Sequence, residues 1–252
     1  MCSSKRILLL SIPIGITVIS IGTVILAYYC GVQSGSLAPL PFIPFISDLG
    51  NDKPASSVFT LGITLIAQLN LFLVIFAYCY VRDTYGTCKR ANKASLVMGL
   101  VLVLGKLVVG AFQLTSVKDI HFFGAALYFI GSVMFAIFQS HIARVNVPQC
   151  PSLLYWFRLI CTSLMSISLV VFMVFLVPVL TKHNRNGANI GQIAEWCFSI
   201  SKTLFTLSFI YEFSGELPEV DIRFPNYSHT DVQSHLDTLT RDKFDSLRDT
   251  CV

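Results

Sequence analysis

The sequence predicts an all-α fold, a polytopic transmembrane bundle of six helices with a proline-rich first outer loop and a flexible acidic tail. Two observations predict it. The composition is 54% hydrophobic and 13% charged, with a mean hydropathy of +0.69, which leaves no room for a large soluble domain. The apolar residues also fall into six long runs parted by short polar breaks, at 7–29, 58–80, 94–115, 120–142, 154–178 and 190–211. A bilayer core about 30 Å thick needs about 20 apolar residues per helix, and every run is long enough. A soluble helix of that length would carry a polar stripe.

Lys5 and Arg6 precede the first run, as they would precede a secretory signal. The run is too long for one and no Ala-x-Ala site ends it, so it reads as a retained helix. The first outer loop follows, from about 30 to 57, with Pro39, Pro41, Pro44 and Pro54 among Gly31, Gly35 and Gly50. Proline fixes φ and removes amide donors, so this loop should be extended and turn-rich with no helix of its own. It is nevertheless apolar from Leu37 to Ile46, which points to a segment folded back on the rim of the bundle. Ser47 and Asp48 are placed to cap a turn. The loop reads either as a packed lid or as a recognition surface.

The 81–93 break is basic, and 116–119 allows only a tight hairpin. Pro148 and Pro151 part the fourth and fifth spans, and a polar loop at 180–189 parts the fifth and sixth. The membrane domain is thus 1–212 and the tail 213–252. Within the tail, Thr230 to Gln233 has capping-box form, and Val232, Leu236, Leu239 and Leu247 share a face at helical spacing. A short amphipathic helix at 231–248 is expected there, in an otherwise disordered segment.

Basic residues set the orientation. Lys5, Arg6, Arg82, Lys89, Arg90, Lys93 and Arg144 lie on one side; Lys53, Lys118, Lys182 and Arg185 lie on the other. The richer side is expected to be cytosolic, with both termini on it. The overall charge of +4 hides a split, because the tail after 213 holds eight acids and four bases. The tail is therefore −4 and the rest +8, and an acidic tail argues against nucleic acid as a partner.

Cys2, Cys88 and Cys150 fall at juxtamembrane depth on the cytosolic side, where they are either free thiols or palmitoylation sites. No disulfide framework is expected. The sequon at Asn226 falls in the tail and should stay unglycosylated on that side.

Ionisable groups are costly in a bilayer and turn inward. Lys106 in the third span and Glu195 and Lys202 in the sixth stand out. Lys106 and Glu195 differ in depth by only about 6 Å at 1.5 Å per residue, within side-chain reach of a pair. His121, at the outer start of the fourth span, is a second partner for Glu195. Glu195 and Lys202 share a face but stand about 10 Å apart along the axis, too far for contact. These groups read either as interhelical ties or as part of a proton- or cation-coupled path. Transporters usually show broken helices or paired repeats at such a site, and the sequence shows neither. Pro13 reads as near a helix start and Pro178 as near an end. Gly124 and Gly131, seven apart, let a neighbouring helix come close. No Gly-rich phosphate loop, His-x-x-x-His or Cys-x-x-Cys occurs. No enzyme activity, catalytic residue, metal or other cofactor is expected.

Pro41 to Asp48 followed by Gly50 resembles the first-loop signature of the damage-regulated autophagy modulator (DRAM) family. Ala111-Phe112-Gln113, His121 with Gly124-Ala125, Phe138-Gln139-Ser140 and Ala194-Glu195-Trp196 resemble its third-, fourth- and sixth-helix patterns, in collinear order over roughly 30–213. The first-loop motif is carried here by Pro44, Ser47, Asp48 and Gly50. The resemblance implies a lysosomal or endosomal multi-pass protein that promotes autophagy and has no known catalytic residues. The wider family includes plasma-membrane relatives that assist a phosphoinositide kinase and a Golgi protein of GPI-anchor lipid remodelling. Lys106, Lys202 and the long tail depart from the pattern.

The expected function is a non-enzymatic regulator of autophagy and lysosomal membranes, with membrane lipids as partners. The alternatives are a plasma-membrane adaptor for a phosphoinositide kinase and a small proton-linked transporter using Glu195. The final Thr250-Cys251-Val252 suits a PDZ groove, which takes a small apolar terminus and a hydroxyl two before it.

Overall fold

The computed structural model describes residues 2–41, 43–86, 88–146, 151–182 and 188–214. The chain divides into two units, Met1–Pro218 and Glu219–Val252. The sequon, the 231–248 helix, Thr250, Val252 and Cys150 all lie outside the described residues.

The first unit is helical throughout its long elements. These are α1 (Cys2–Gln33), α2 (Ala55–Thr84), α3 (Lys89–Ala111), α4 (Lys118–Val145), α5 (Ser152–Lys182), α6 (Ala188–Leu207) and α7 (Phe209–Ser214). Six stretches are long and apolar enough to cross a membrane, the sixth running from α6 through α7. Successive helices pack side by side, and α6 and α7 return against α1 to close a ring. The lid end of this ring carries the α1–α2 loop; the far end carries the α2–α3 connection.

Apolar side chains divide between two surroundings. Leu61, Phe123, Ile130, Ile167, Val170 and Ile200 point outward and are exposed, as lipid-facing residues are. Inside, a line of rings fills the ring axis. Phe172 meets Phe129 at 5.3 Å, Phe129 meets Phe198 at 4.7 Å, and Phe135, Phe205 and Phe209 continue the line at about 6 Å spacing. Hydrocarbon does not drive helices together, so close approach depends on small residues. Gly124 and Gly131 of α4 supply it as expected. A Cβ on Gly131 would stand 2.7 Å from the Leu102 amide of α3, and one on Gly124 would stand 2.6 Å from Val108.

Four local expectations need correction. The first loop does contain a helical turn, a 3-10 helix at Ile46–Gly50. It forms because the Asp48 carboxylate accepts the Phe45 amide at 3.1 Å, which satisfies a donor that the first turn leaves without a main-chain acceptor. Pro13 lies inside α1, which starts at Cys2, whereas Pro178 does stand near the end of α5, which stops at Lys182. The basic 81–93 loop is mostly helix: Arg82 ends α2, paired with Asp83, while Lys89, Arg90 and Lys93 open α3. Only 85–88 connects them, with Gly86 and Cys88 both at positive φ. The sixth span is broken, at Ser208, between α6 and α7.

Candidate functional site

The first turn of a helix leaves amide donors without internal acceptors. In the 3-10 turn, Asp48 takes the Phe45 amide, and Glu195 takes the next. Its Oε2 accepts the Ile46 N–H at 2.8 Å, with the Ser47 amide beside it. The neighbouring Trp196 donates from Nε1 to the Pro44 carbonyl at 2.9 Å. Leu49 is fully buried, and Gly50 is so close to Phe59 that a Cβ would stand 2.7 Å from that ring. The first loop is therefore a lid, tied to α6 by two consecutive side chains.

The lid covers a cavity of about 120 Å³ inside the ring, with Glu195, Lys106, Lys202, His121, Tyr128 and Ser199 in its walls. The four ionisable residues read from the sequence do converge there, and all are buried. Their partners differ from those expected. Among the described residues no ion pair joins Lys106 to Glu195, because Glu195 is turned to the lid amides. The Lys106 ammonium lies instead over the Tyr128 ring, 4.7 Å from its centroid. His121 does not reach Glu195 either. Its Nδ1 donates to the Phe112 carbonyl at 2.7 Å, since a carbonyl can only accept, and this ties the hairpin between α3 and α4. Lys202 donates to Asn70 Oδ1 at 2.7 Å and to Thr206 Oγ1 at 3.1 Å. Asn70, unremarked in the sequence, is thus the tie between α2 and α6.

The lid gives two testable expectations. Glu195→Ala should free the Ile46 amide and speed its hydrogen exchange by roughly tenfold or more, because leaving a buried donor without its acceptor costs about 1–3 kcal/mol. Unchanged exchange at Ile46 would mean that packing alone holds the lid. The second concerns Asp48, which is only partly exposed. Burial holds its carboxyl above the ordinary value of 3.8, and the Phe45 amide offsets only part of that. The folded state therefore binds this proton more readily than the unfolded chain. The stability so gained is full below 3.8 and is lost as pH rises through the raised folded value. Wild type should gain on Asp48→Asn in thermal midpoint as pH falls from 7 to 4. Parallel pH profiles would clear Asp48 of that role.

A second polar centre was missed altogether. At the far end, Arg158 of α5 is fully buried and forks onto Glu212 of α7, with Nη1 and Nη2 at 3.0 and 2.7 Å from its two oxygens. Its Nε donates to Ser208 Oγ at 2.8 Å, and its plane stacks 4.6 Å from the Phe209 ring. Ser208 is the residue at which the sixth span breaks. Gln139 donates to Ser95 at 2.8 Å, joining α4 to α3.

Cys30 and Cys88 are partly exposed free thiols, Cys88 immediately before α3. His141 is exposed at the far end of α4, well apart from His121.

The chain has recognisable relatives. Human DNA damage-regulated autophagy modulator protein 1 is 30% identical over 204 residues, 76% of this chain and 85% of its own length. Modulator of macroautophagy TMEM150B of Xenopus tropicalis is 28% identical over 196 residues, 78% and 81% of the two chains. Transmembrane protein 150A of Xenopus laevis is 27% identical over 187 residues, 71% and 65%. No solved structure matches. Residues 9–216 match the family described as the Frag1/DRAM/Sfk1/Cwh43P N-terminal domain, a stretch that includes the lid, the α6 residues that hold it and the His121 tie. This chain is a multi-pass membrane protein and belongs to the Frag1/DRAM/Sfk1/Cwh43P family.

Proposed function

We propose that the protein is a non-enzymatic regulator of autophagy in the lysosomal or endosomal membrane, acting through protein and lipid contacts. The observation that carries this reading is the extent of the similarity. Relatives named as autophagy modulators align over about three quarters of the chain, and the family match at 9–216 takes in helices, lid and cavity alike. In this reading the far end faces the cytosol with both termini, and the lid faces the lumen. Lys89, Arg90 and Lys93 at the start of α3 meet anionic head groups there. The lid, with Leu40 and Ile43 exposed on it, meets lumenal partners or lipid. The tail recruits cytosolic proteins, with Thr250 and Val252 as a PDZ ligand.

The test is fluorescent tagging combined with an autophagic-flux assay. Lysosomal or endosomal residence and a flux change on deletion are the expected results. Strict plasma-membrane residence with unchanged flux would overturn the reading and favour a phosphoinositide-kinase adaptor.

A further inference from the structure

Two lysine side chains line the central cavity, Lys106 from α3 and Lys202 from α6. Each is only 8% exposed. Lys202 spends two donors on the neutral oxygens of Asn70 and Thr206. Lys106 makes no hydrogen bond at all among the described residues and has only the Tyr128 face beside it. A buried cation is ordinarily paired with an anion. The one acidic side chain in these walls, Glu195, is committed to the lid amides, and among the described residues the other acid near it is Asp48 in the lid itself. Among the described residues the two lysines inside the ring are thus left without an acidic partner.

We infer that this cavity binds one phosphate-type oxyanion, held between Lys106 and Lys202 with the Ser199 hydroxyl as a further donor. The space of about 120 Å³ is comparable with the roughly 150 Å³ cavity that accepts benzene. It admits a phosphate group and excludes a whole lipid. The phosphate has two sources. It is either a free ion or the head of an anionic lipid that enters sideways between α1 and α6. An apolar groove lined by Ile25, Tyr28, Leu40, Ile193 and Trp196 lies there, and it shares Val24 with the cavity. The inference stands apart from any role in autophagy.

The experiment uses the full-length protein, delipidated in a nonionic detergent. Inorganic phosphate is titrated at constant ionic strength, and phosphatidic acid is titrated in a parallel arm. Binding is read by equilibrium dialysis and by the thermal midpoint. The expected result is saturable binding near one per chain, with a midpoint that climbs with ligand concentration by mass action. Lys106→Met and Lys202→Met should each weaken it at least tenfold, while Lys118→Met, an exposed lysine outside the cavity walls, should leave it unchanged. Binding of phosphatidic acid alone assigns the site to a lipid head; binding of both assigns it to the free ion. If the methionine variants do not fold, Ser199→Ala decides the matter, because losing the third donor in the cavity wall should weaken phosphate binding severalfold. Absence of saturable binding in both arms, or equal affinity in wild type and the Lys variants, or no weakening in Ser199→Ala, overturns the inference.

Discussion

Glu212→Leu should lower the thermal midpoint by roughly 10 °C, the equivalent of about 3–5 kcal/mol for breaking a buried ion pair from one side. The magnitude follows from what is left behind. Arg158 is fully buried, and both of its forked bonds end on Glu212. With the carboxylate gone, the guanidinium keeps one bond to Ser208 and the faces of Phe205 and Phe209, none of which neutralises it. Arg158→Met should cost a similar amount by stranding the Glu212 carboxylate. The double variant Arg158→Met/Glu212→Leu should recover most of the loss, because replacing both partners by apolar groups removes two desolvation penalties together. Additive losses in the double variant would show that the two residues act separately. The measurement is thermal unfolding in detergent, read alongside the fraction of monodisperse protein.

Gly105→Ala is the second large expectation. A Cβ at this position in α3 would press on the Tyr128 amide and stand 2.6 Å from the Gly124 carbonyl, both backbone atoms of α4. Backbone in a helix cannot step aside as a side-chain tip can, so the two helices must separate along their whole contact. Overpacking of this kind costs about 1–3 kcal/mol for one methyl. Gly105→Leu should leave no folded protein. Gly22 in α1 is the control, because nothing lies within 4 Å of a Cβ built there. Gly22→Ala should stabilise its helix by up to about 1 kcal/mol. A neutral Gly105→Ala would mean that α3 and α4 do not pack as closely as the structure has them.

The helices were plain in the sequence because their cause is local. Apolar run length against hydrocarbon thickness needs no knowledge of neighbours. The glycines at 124 and 131 were readable for the same reason, as a small face repeated at helical spacing. The polar pairings were not. Residue counting gives the depth of Lys106 and Glu195 along the membrane normal, and both do reach one cavity. It does not give their direction around the helix axis, nor can it see main-chain donors. Glu195 is taken by amides that exist only because 46–50 forms a 3-10 turn, and the turn itself was hidden behind a loop full of proline. Arg158 and Glu212 were missed for a different reason. Each sits close to the end of an apolar run, where a charge normally reaches water, and the turn at Ser208 instead carries Glu212 back over α5. The motifs that carried the family resemblance turn out to be bonded to one another: Pro44 to Trp196, and Phe112 to His121.

The Glu195 and Trp196 ties grip the first loop by its main chain, at one amide and one carbonyl. Backbone anchoring separates where this segment sits from what it displays. Its outward residues, Leu40 and Ile43 among them, can be exchanged without unfastening it. The loop is therefore a mounting that tolerates new lettering, and short epitopes or altered recognition surfaces are best introduced at those two positions.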